Sequence, residues 1–211
     1  MRIIGIVGPP AAGKTTLASA LGRYGSIFRL RTAVPSTHLL DRDGRPKDWL
    51  DHDVVARAFI EFVSREYEKS TRLLLCDNFP GTVTQVDLIA EVRSSKAEAT
   101  VVRLMVEQEV LKKRASSRRV CRNCERDPLD DPRCPAIESK IRPGTCVQCG
   151  QGLLRRPNDR QNSLIGRLDR FQHSINEIEQ RCAAHAIKVI QVDSHGTPAD
   201  TERAVRASLV C

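Results

Sequence analysis

Aromatic residues make up only 4% of this 211-residue sequence, with one Trp, two Tyr and five Phe. So few flat rings argue against a surface that binds single-stranded nucleic acid by stacking on its bases. Long apolar runs are missing as well: nothing approaches the roughly 20 residues of a membrane span. The opening Met1-Arg-Ile-Ile-Gly-Ile-Val-Gly is too short for the apolar region of a signal peptide. A cytoplasmic protein without a membrane partner is expected. There is no internal repeat and no low-complexity tract. With 40% hydrophobic and 28% charged residues, this length suits one globular domain carrying a small insertion.

What is present is positive charge and cysteine. The formal charge is +8, concentrated at 103–126 and again at 155–170. Such a balance suits a polyanionic partner, nucleic acid or nucleotide phosphates. Five of the eight cysteines fall between Cys121 and Cys149. In an intracellular protein such a cluster reads as a metal site rather than a disulfide framework.

Apolar runs at Arg2–Val7, Arg72–Cys76, Ala99–Val106 and Ile187–Val192 read as buried strands. Helical spacing covers Lys14–Tyr24, Asp51–Lys69, Thr82–Val92, the stretch up to Arg118, Gln161–His185 and Pro198–Leu209. In Asp51–Lys69 the apolar Val54, Val55, Ala58, Phe59, Phe62 and Val63 share one stripe. Strands alternating with helices predict an α/β fold with a three-layer, parallel-sheet core. From about 119 to 155 the periodicity stops and Cys, Pro, Gly and charge take over, marking the insertion.

Gly8-Pro-Pro-Ala-Ala-Gly13-Lys14-Thr15 fits the phosphate-loop pattern G-x-x-x-x-G-K-[ST], after a strand and at the start of a helix. Its backbone N–H groups and the helix N-terminus attract a phosphate. Lys14 reaches the β and γ phosphates and Thr15 ligates Mg²⁺. Gly8, Ala11, Ala12, Gly13, Lys14, Thr15 and Thr16 are thus the candidate ATP contacts. Asp77, ending an apolar strand, is the second candidate Mg²⁺ ligand. Cys121-Arg-Asn-Cys124 and Cys146-Val-Gln-Cys149 are two C-x-x-C knuckles whose four thiolates predict a structural Zn²⁺. Cys134 between them reads as a spare thiol, or as a substitute for one ligand.

Three further segments make the chain resemble the adenylate kinase family of nucleoside monophosphate kinases in its zinc-lid form. Asp77-Asn78-Phe79-Pro80-Gly81-Thr82-Val83-Thr84-Gln85 is similar to D-G-F-P-R-[ST]-x-x-Q. Arg114 to Arg119 is similar to R-x-x-x-R-R, and Arg156-Pro-Asn-Asp159 with Arg167-Leu168 to R-x-D-D followed by R-x-R-L. The resemblance implies a P-loop core at 1–118 and 156–211, an acceptor subdomain at about 36–69, and a zinc-binding lid at 119–155. It further implies that Arg114, Arg118, Arg156 and Arg167 gather round the transferring phosphoryl group, oriented by Asp159. Arg118 and the Gly196-Thr197 pair would touch the donor nucleotide. Ser36 to Arg42 resembles S-T-G-D-[LM]-L-R, implying that Thr37 and Arg42 contact an acceptor monophosphate and Gln85 its base. Asn78, Phe79, Pro80, Gly81, Arg156 and Arg167 complete the implied acceptor set.

The departures fall in that set. Gly81 stands where the family has an acceptor-phosphate arginine, Asn78 and Asn158 replace a glycine and an aspartate, and Leu39 replaces an acid. The resemblance therefore implies ATP and a nucleoside monophosphate as partners, AMP first, with Mg²⁺ and a structural Zn²⁺. A monomer is expected, and nucleic acid is not an expected partner. The alternatives are a P-loop kinase of a non-nucleotide small molecule, which Gly81 favours, and a nucleic-acid-associated ATPase reading through a zinc ribbon. A nucleotide-binding protein without turnover is a third.

Overall fold

The computed structural model describes residues 1–43, 47 and 50–210. Its elements in order are β1 (Arg2–Val7), α1 (Lys14–Leu21), β2 (Ser26–Phe28), α2 (Leu30–Ala33), α3 (Ser36–Leu39), α4 (His52–Glu68), β3 (Leu73–Asp77) and α5 (Val83–Lys96). They continue as β4 (Glu98–Met105), α6 (Gln108–Ser117), β5 (Arg119–Val120), β6 (Leu154–Arg155), α7 (Gln161–Ala184), β7 (Lys188–Asp193) and α8 (Pro198–Val210). Among the described residues no helix is long and apolar enough to cross a membrane.

Five parallel strands form one sheet in the order β2-β3-β1-β4-β7. Register sets Ile4 of β1 between Leu75 of β3 and Thr100 of β4. Side chains alternate across β1, so Ile3 and Val7 enter one apolar layer while Ile4 and Ile6 enter the other. The first layer is closed by α4, α5 and α7 through Val55, Phe59, Val63, Val86, Ile89, Ile175 and Ile178. The second is closed by α1, α6 and α8 through Leu17, Leu21, Leu111 and Val205. This is the three-layer α/β arrangement that alternating strands and helices require.

The four strands read from the sequence are present within a residue or two. The edge strand β2 was not expected: Ser26-Ile-Phe is too short for a period to register. It is held by its neighbours. Phe28 is fully buried and meets Phe59 and Phe79 edge-on at 5.2 and 5.4 Å between centroids. The buried Glu66 at the end of α4 accepts from Ser26 Oγ and, at 2.8 Å, from Thr71 Oγ1. These bonds from Ser26, with those from Lys69 and Thr71, outweigh burial and hold the Glu66 carboxyl down at about 2.

Every strand of the parallel sheet ends on the same side, so the loops after β1, β3, β4 and β7 converge there. That edge is where an open α/β sheet builds its site.

Candidate active site

The loop after β1 makes its turn with residues in the left-handed region. Ala11 has φ 66° and Gly13, which precedes α1, has φ 99°. A side chain at Gly8 would crowd Leu104, its Cβ 3.1 Å from Leu104 Cβ. The curl lets Lys14 Nζ donate back to the carbonyls of Gly8 and Pro9 at 2.7 and 2.8 Å. Burial, then the like charge of Arg167, holds its ammonium pKa down at about 7. Such a lysine is poised for an anion, whose charge would restore the proton.

Thr15 Oγ1 donates to Asp77 Oδ1 at 3.2 Å, joining the start of α1 to the end of β3. Arg29 Nε lies 3.2 Å from the other Asp77 oxygen, and its Nη2 donates to Ser19 Oγ at 2.7 Å. A hydroxyl facing a buried carboxylate is a hard oxygen pair that suits Mg²⁺.

Two cavities open on this loop. One, of about 450 Å³, lies between α1, the end of α6 and the loop after β7, and is lined by Gly13, Thr16, Arg114, Arg118, Ala136 and Gly196 among others. Arg114 Nη2 donates to the carbonyls of His195 and Gly196, both at 3.0 Å, which fixes the wall of that cavity. Ser194 Oγ donates to Ala12 O at 3.0 Å and ties the same loop to the phosphate loop. Thr197 does not line the cavity. It caps α8 reciprocally with Asp200, accepting from Asp200 N at 3.2 Å while Thr197 N donates to Asp200 Oδ2 at 3.1 Å.

The second cavity, of about 670 Å³, holds the charge. Lys14, Thr15, Arg31, Asn78, Gly81, Arg118, Arg133, Arg156 and Arg167 all line it. Arg118 grips the buried Asp159 through Nε and Nη2, both at 2.6 Å. Arg156 grips Asp131 in the same forked way. Burial, then Arg156, pushes the pKa of Arg167 down to about 10, and its Nη1 donates to Asn158 O at 3.1 Å. Ala11, Gly13, Thr16 and Arg118 line both cavities, so the two meet at the phosphate loop.

On the acceptor side only part of the implied set, Asn78, Gly81, Arg156 and Arg167, lines the cleft. Thr37 and Arg42 are exposed and line neither cavity. Residues 44–46 and 48–49 of the expected acceptor subdomain lie outside the described residues. Arg31, on α2, lines the cleft instead and reaches Asp127 and Asp131 at 3.3 and 3.2 Å. Phe79 and Pro80 are buried, Phe79 in the core cluster, and only Asn78 and Gly81 of that loop face the cleft. Asn78 has φ 58°, a left-handed conformation that asparagine tolerates where the family has glycine. Gln85 is buried, and its Oε1 accepts from Gly81 N at 2.6 Å. Sequence reasoning missed Arg29, Arg31, Asp131 and Arg133, because nothing in their local spacing marks them; only the fold brings them to the phosphate loop.

The insertion between β5 and β6 brings its four cysteines together. Cys121, Cys124, Cys146 and Cys149 have Sγ atoms all within 4.8 Å of one another, with Cys121–Cys149 at 3.4 Å and Cys124–Cys146 at 3.6 Å. A tetrahedral site with Zn–S near 2.3 Å has S···S edges of roughly 3.8 Å, so the cluster fits zinc. Gly150 has φ 73° and its N–H donates to Cys146 O at 2.8 Å, closing the second knuckle. Cys134 stays outside the cluster, its Sγ 3.9 Å from Ser19 Oγ on α1.

No family model matches the chain. Curated relatives do. The chain is 31% identical over 180 residues to an adenylate kinase of Geobacter sulfurreducens, covering 77% of each sequence. It is 30% identical over 180 residues to that of Geotalea daltonii, covering 78% of this chain and 79% of the relative. With that of Haloarcula marismortui it shares 25% identity over 202 residues, 92% and 89% of the two. A phosphate loop on a five-stranded parallel sheet, a clustered four-cysteine insertion and these relatives agree: the chain belongs to the adenylate kinase family and is a nucleoside monophosphate kinase.

Proposed function

We propose that the chain transfers the γ-phosphoryl group of ATP·Mg²⁺ to AMP, giving two ADP. The observation that carries this reading is the meeting of the two cavities at the phosphate loop. A nucleoside-sized space and a cation-lined cleft share Gly13, Thr16 and Arg118, as transfer between two bound nucleotides demands. AMP as acceptor draws its support from the relatives, which bear the name adenylate kinase.

In this reading the smaller cavity takes the donor nucleoside, with Arg114, Pro135, Ala136 and Gly196 on its wall. The phosphate-loop N–H groups and Lys14 hold the donor phosphates. Thr15 and Asp77 are the residues that would hold Mg²⁺, which when bound neutralises charge on the β and γ phosphates. Arg118, Arg156 and Arg167 neutralise the transferring group, and Asp159 fixes the fork of Arg118. Phosphoryl transfer needs in-line positioning and spread positive charge more than a general base. Segment 119–155, stapled by a structural Zn²⁺ on its four cysteines, acts as a lid that keeps water from the γ phosphate.

An acceptor panel tests this: AMP, CMP, UMP, GMP, the deoxy forms and non-nucleotide alcohols with ATP·Mg²⁺, reading ADP formation. AMP should give the highest kcat/KM. Preference for another nucleoside monophosphate would refute AMP alone, and transfer only to a non-nucleotide would refute the nucleotide acceptor.

A further inference from the structure

Among the described residues, the cleft contains a guanidinium, that of Arg133, with no protein acceptor. Arg31 is bound to Asp127 and Asp131, Arg118 to Asp159, Arg156 to Asp131, and Arg167 to a backbone carbonyl. The side chain of Arg133 donates to no acceptor among the described residues, and its Nε is sealed from solvent. Arg133 lines the cleft, so an anion bound there would supply the acceptor that its fork lacks. Burial, then Arg31 and Arg156, lowers its pKa to about 10, which locates the guanidinium among like charges. Lys14 and Arg31 line the same cleft as Arg133.

Its backbone is fixed while its head is not. Glu125 Oε2 accepts from Arg133 N at 2.9 Å and from Cys134 N at 2.6 Å, and Arg133 O accepts from Arg118 Nη1 at 3.4 Å. Gly81, which lines the same cleft, offers no side chain to an anion. The stem is thus placed by the cysteine-bearing segment, and the side chain lines the cation-lined cleft.

We propose that Arg133 binds the acceptor's phosphate, supplying from the 119–155 segment the guanidinium that the Asn78–Gly81 loop does not provide. The inference rests on the phosphotransfer reading above. It carries a consequence: because Arg133 travels with the segment that also covers the donor cavity, the acceptor is gripped fully only when that segment is seated. Acceptor affinity therefore rises when the donor site is filled.

Arg133→Ala and Arg133→Lys in the full, zinc-loaded chain provide the test. Initial rates are read at saturating ATP·Mg²⁺ against the best nucleoside monophosphate of the acceptor panel. Affinity for Mg²⁺ and a non-hydrolysable ATP analogue is read by calorimetry, and zinc is measured in each preparation. Arg133→Ala should raise the acceptor KM about tenfold or more, the loss of one charge-assisted phosphate contact. Arg133→Lys should fall between, while analogue affinity stays within about twofold and zinc is retained. In wild type the analogue should tighten acceptor binding, and Arg133→Ala should abolish that gain.

An unchanged acceptor KM in Arg133→Ala overturns the inference, as does an equal loss of analogue affinity, which would place Arg133 on the donor. If Arg133→Ala loses its zinc, Arg133→Lys decides on the same criteria. A wild type that phosphorylates no nucleoside monophosphate refutes the broader reading. A wild type that turns over beside an indifferent Arg133→Ala refutes only this one.

Discussion

Arg156 and Asp131 face each other as a two-pronged pair, Nε to Oδ1 and Nη2 to Oδ2, both at 2.7 Å, with only 5% and 10% of the two side chains exposed. Asn158 Nδ2 adds a third bond to Oδ2 at 2.8 Å, and Arg31 a fourth at 3.2 Å. Burial alone would raise the Asp131 pKa, but Arg156, Asn158 and Arg31 together bring it to about 2. One carboxylate thus joins the cysteine insertion to the entry of α7 and to α2.

The first expected outcome follows from that pair. Breaking a buried ion pair by removing one partner costs about 3–5 kcal/mol, here paid locally because the carboxylate ties segments rather than filling the sheet core. Asp131→Ala should speed amide exchange across 121–155 while the exchange of β1, β3 and β4 stays near wild type. Uniform acceleration throughout the chain would show that the carboxylate supports the whole fold instead.

Lys14 gives the pH dependence. In the free protein its pKa lies near 7, well below the ordinary lysine value, because the ammonium is buried. Above that pH an incoming phosphate must recruit a proton to the amine. Donor affinity should be full below pH 7 and fall as pH rises from 7 to 9, by up to about tenfold per unit. Lys14→Arg, which does not deprotonate in this range, should bind more weakly with a flat profile, separating this lysine from titration of the nucleotide. Lys14→Ala should lose roughly 10²–10³-fold in kcat, as for removal of one charge-stabilising donor. A wild-type affinity independent of pH between 6 and 9 would show that the ammonium keeps its proton.

Those two residues also mark the limit of what the sequence discloses. The phosphate loop and the cysteine knuckles are contiguous motifs whose chemistry requires fixed spacing, so Lys14, Thr15 and the four thiols are legible before any fold is known. The main strands are legible because Ile3–Val7 and Leu73–Cys76 must be apolar on both faces, and Val101–Leu104 is broken only by Arg103, which pairs with Glu179. Asp131, Arg133 and Arg31 are invisible locally. Each is one charged residue in a charged stretch, and only the folding of 119–155 over the loops after β1 and β3 makes them neighbours. The Ser36–Arg42 likeness shows the complementary limit: a short motif match carries no burial, and Thr37 and Arg42 are exposed and line neither cavity.

Zinc supplies the third. One Zn²⁺ per chain should be found by elemental analysis of untagged protein. A small segment with the exposed apolar residues Ile137, Ile141 and Val147 has little core of its own, so its order depends on the staple. Chelation should expose 121–149 to proteolysis and lower turnover, with the α/β core still folded by circular dichroism. Full activity in metal-free protein would show that the thiols hold their positions unaided.

The last concerns Gly81, the point at which this cleft most differs from the family pattern. Its φ is not in the left-handed region, so a side chain there meets no backbone penalty. A Cβ would stand 3.5 Å from Gln85 Oε1 and 4.0 Å from Asn78 O, ordinary contacts, and the residue lines the open cleft. Gly81→Arg should therefore fold with a Tm near wild type and present a second guanidinium on the acceptor side. With AMP as acceptor, KM should fall about tenfold, by one charge-assisted bond, with kcat changed little, because a contact made equally in ground and transition states moves binding alone. In an Arg133→Ala background the same substitution should recover part of the lost affinity, since both forks would serve one phosphate in the same cleft. If Gly81→Arg folds normally but abolishes transfer to AMP, the space beside Gly81 is taken by the substrate itself. The acceptor would then be bulkier at that position than AMP, and the panel should be extended to larger monophosphates.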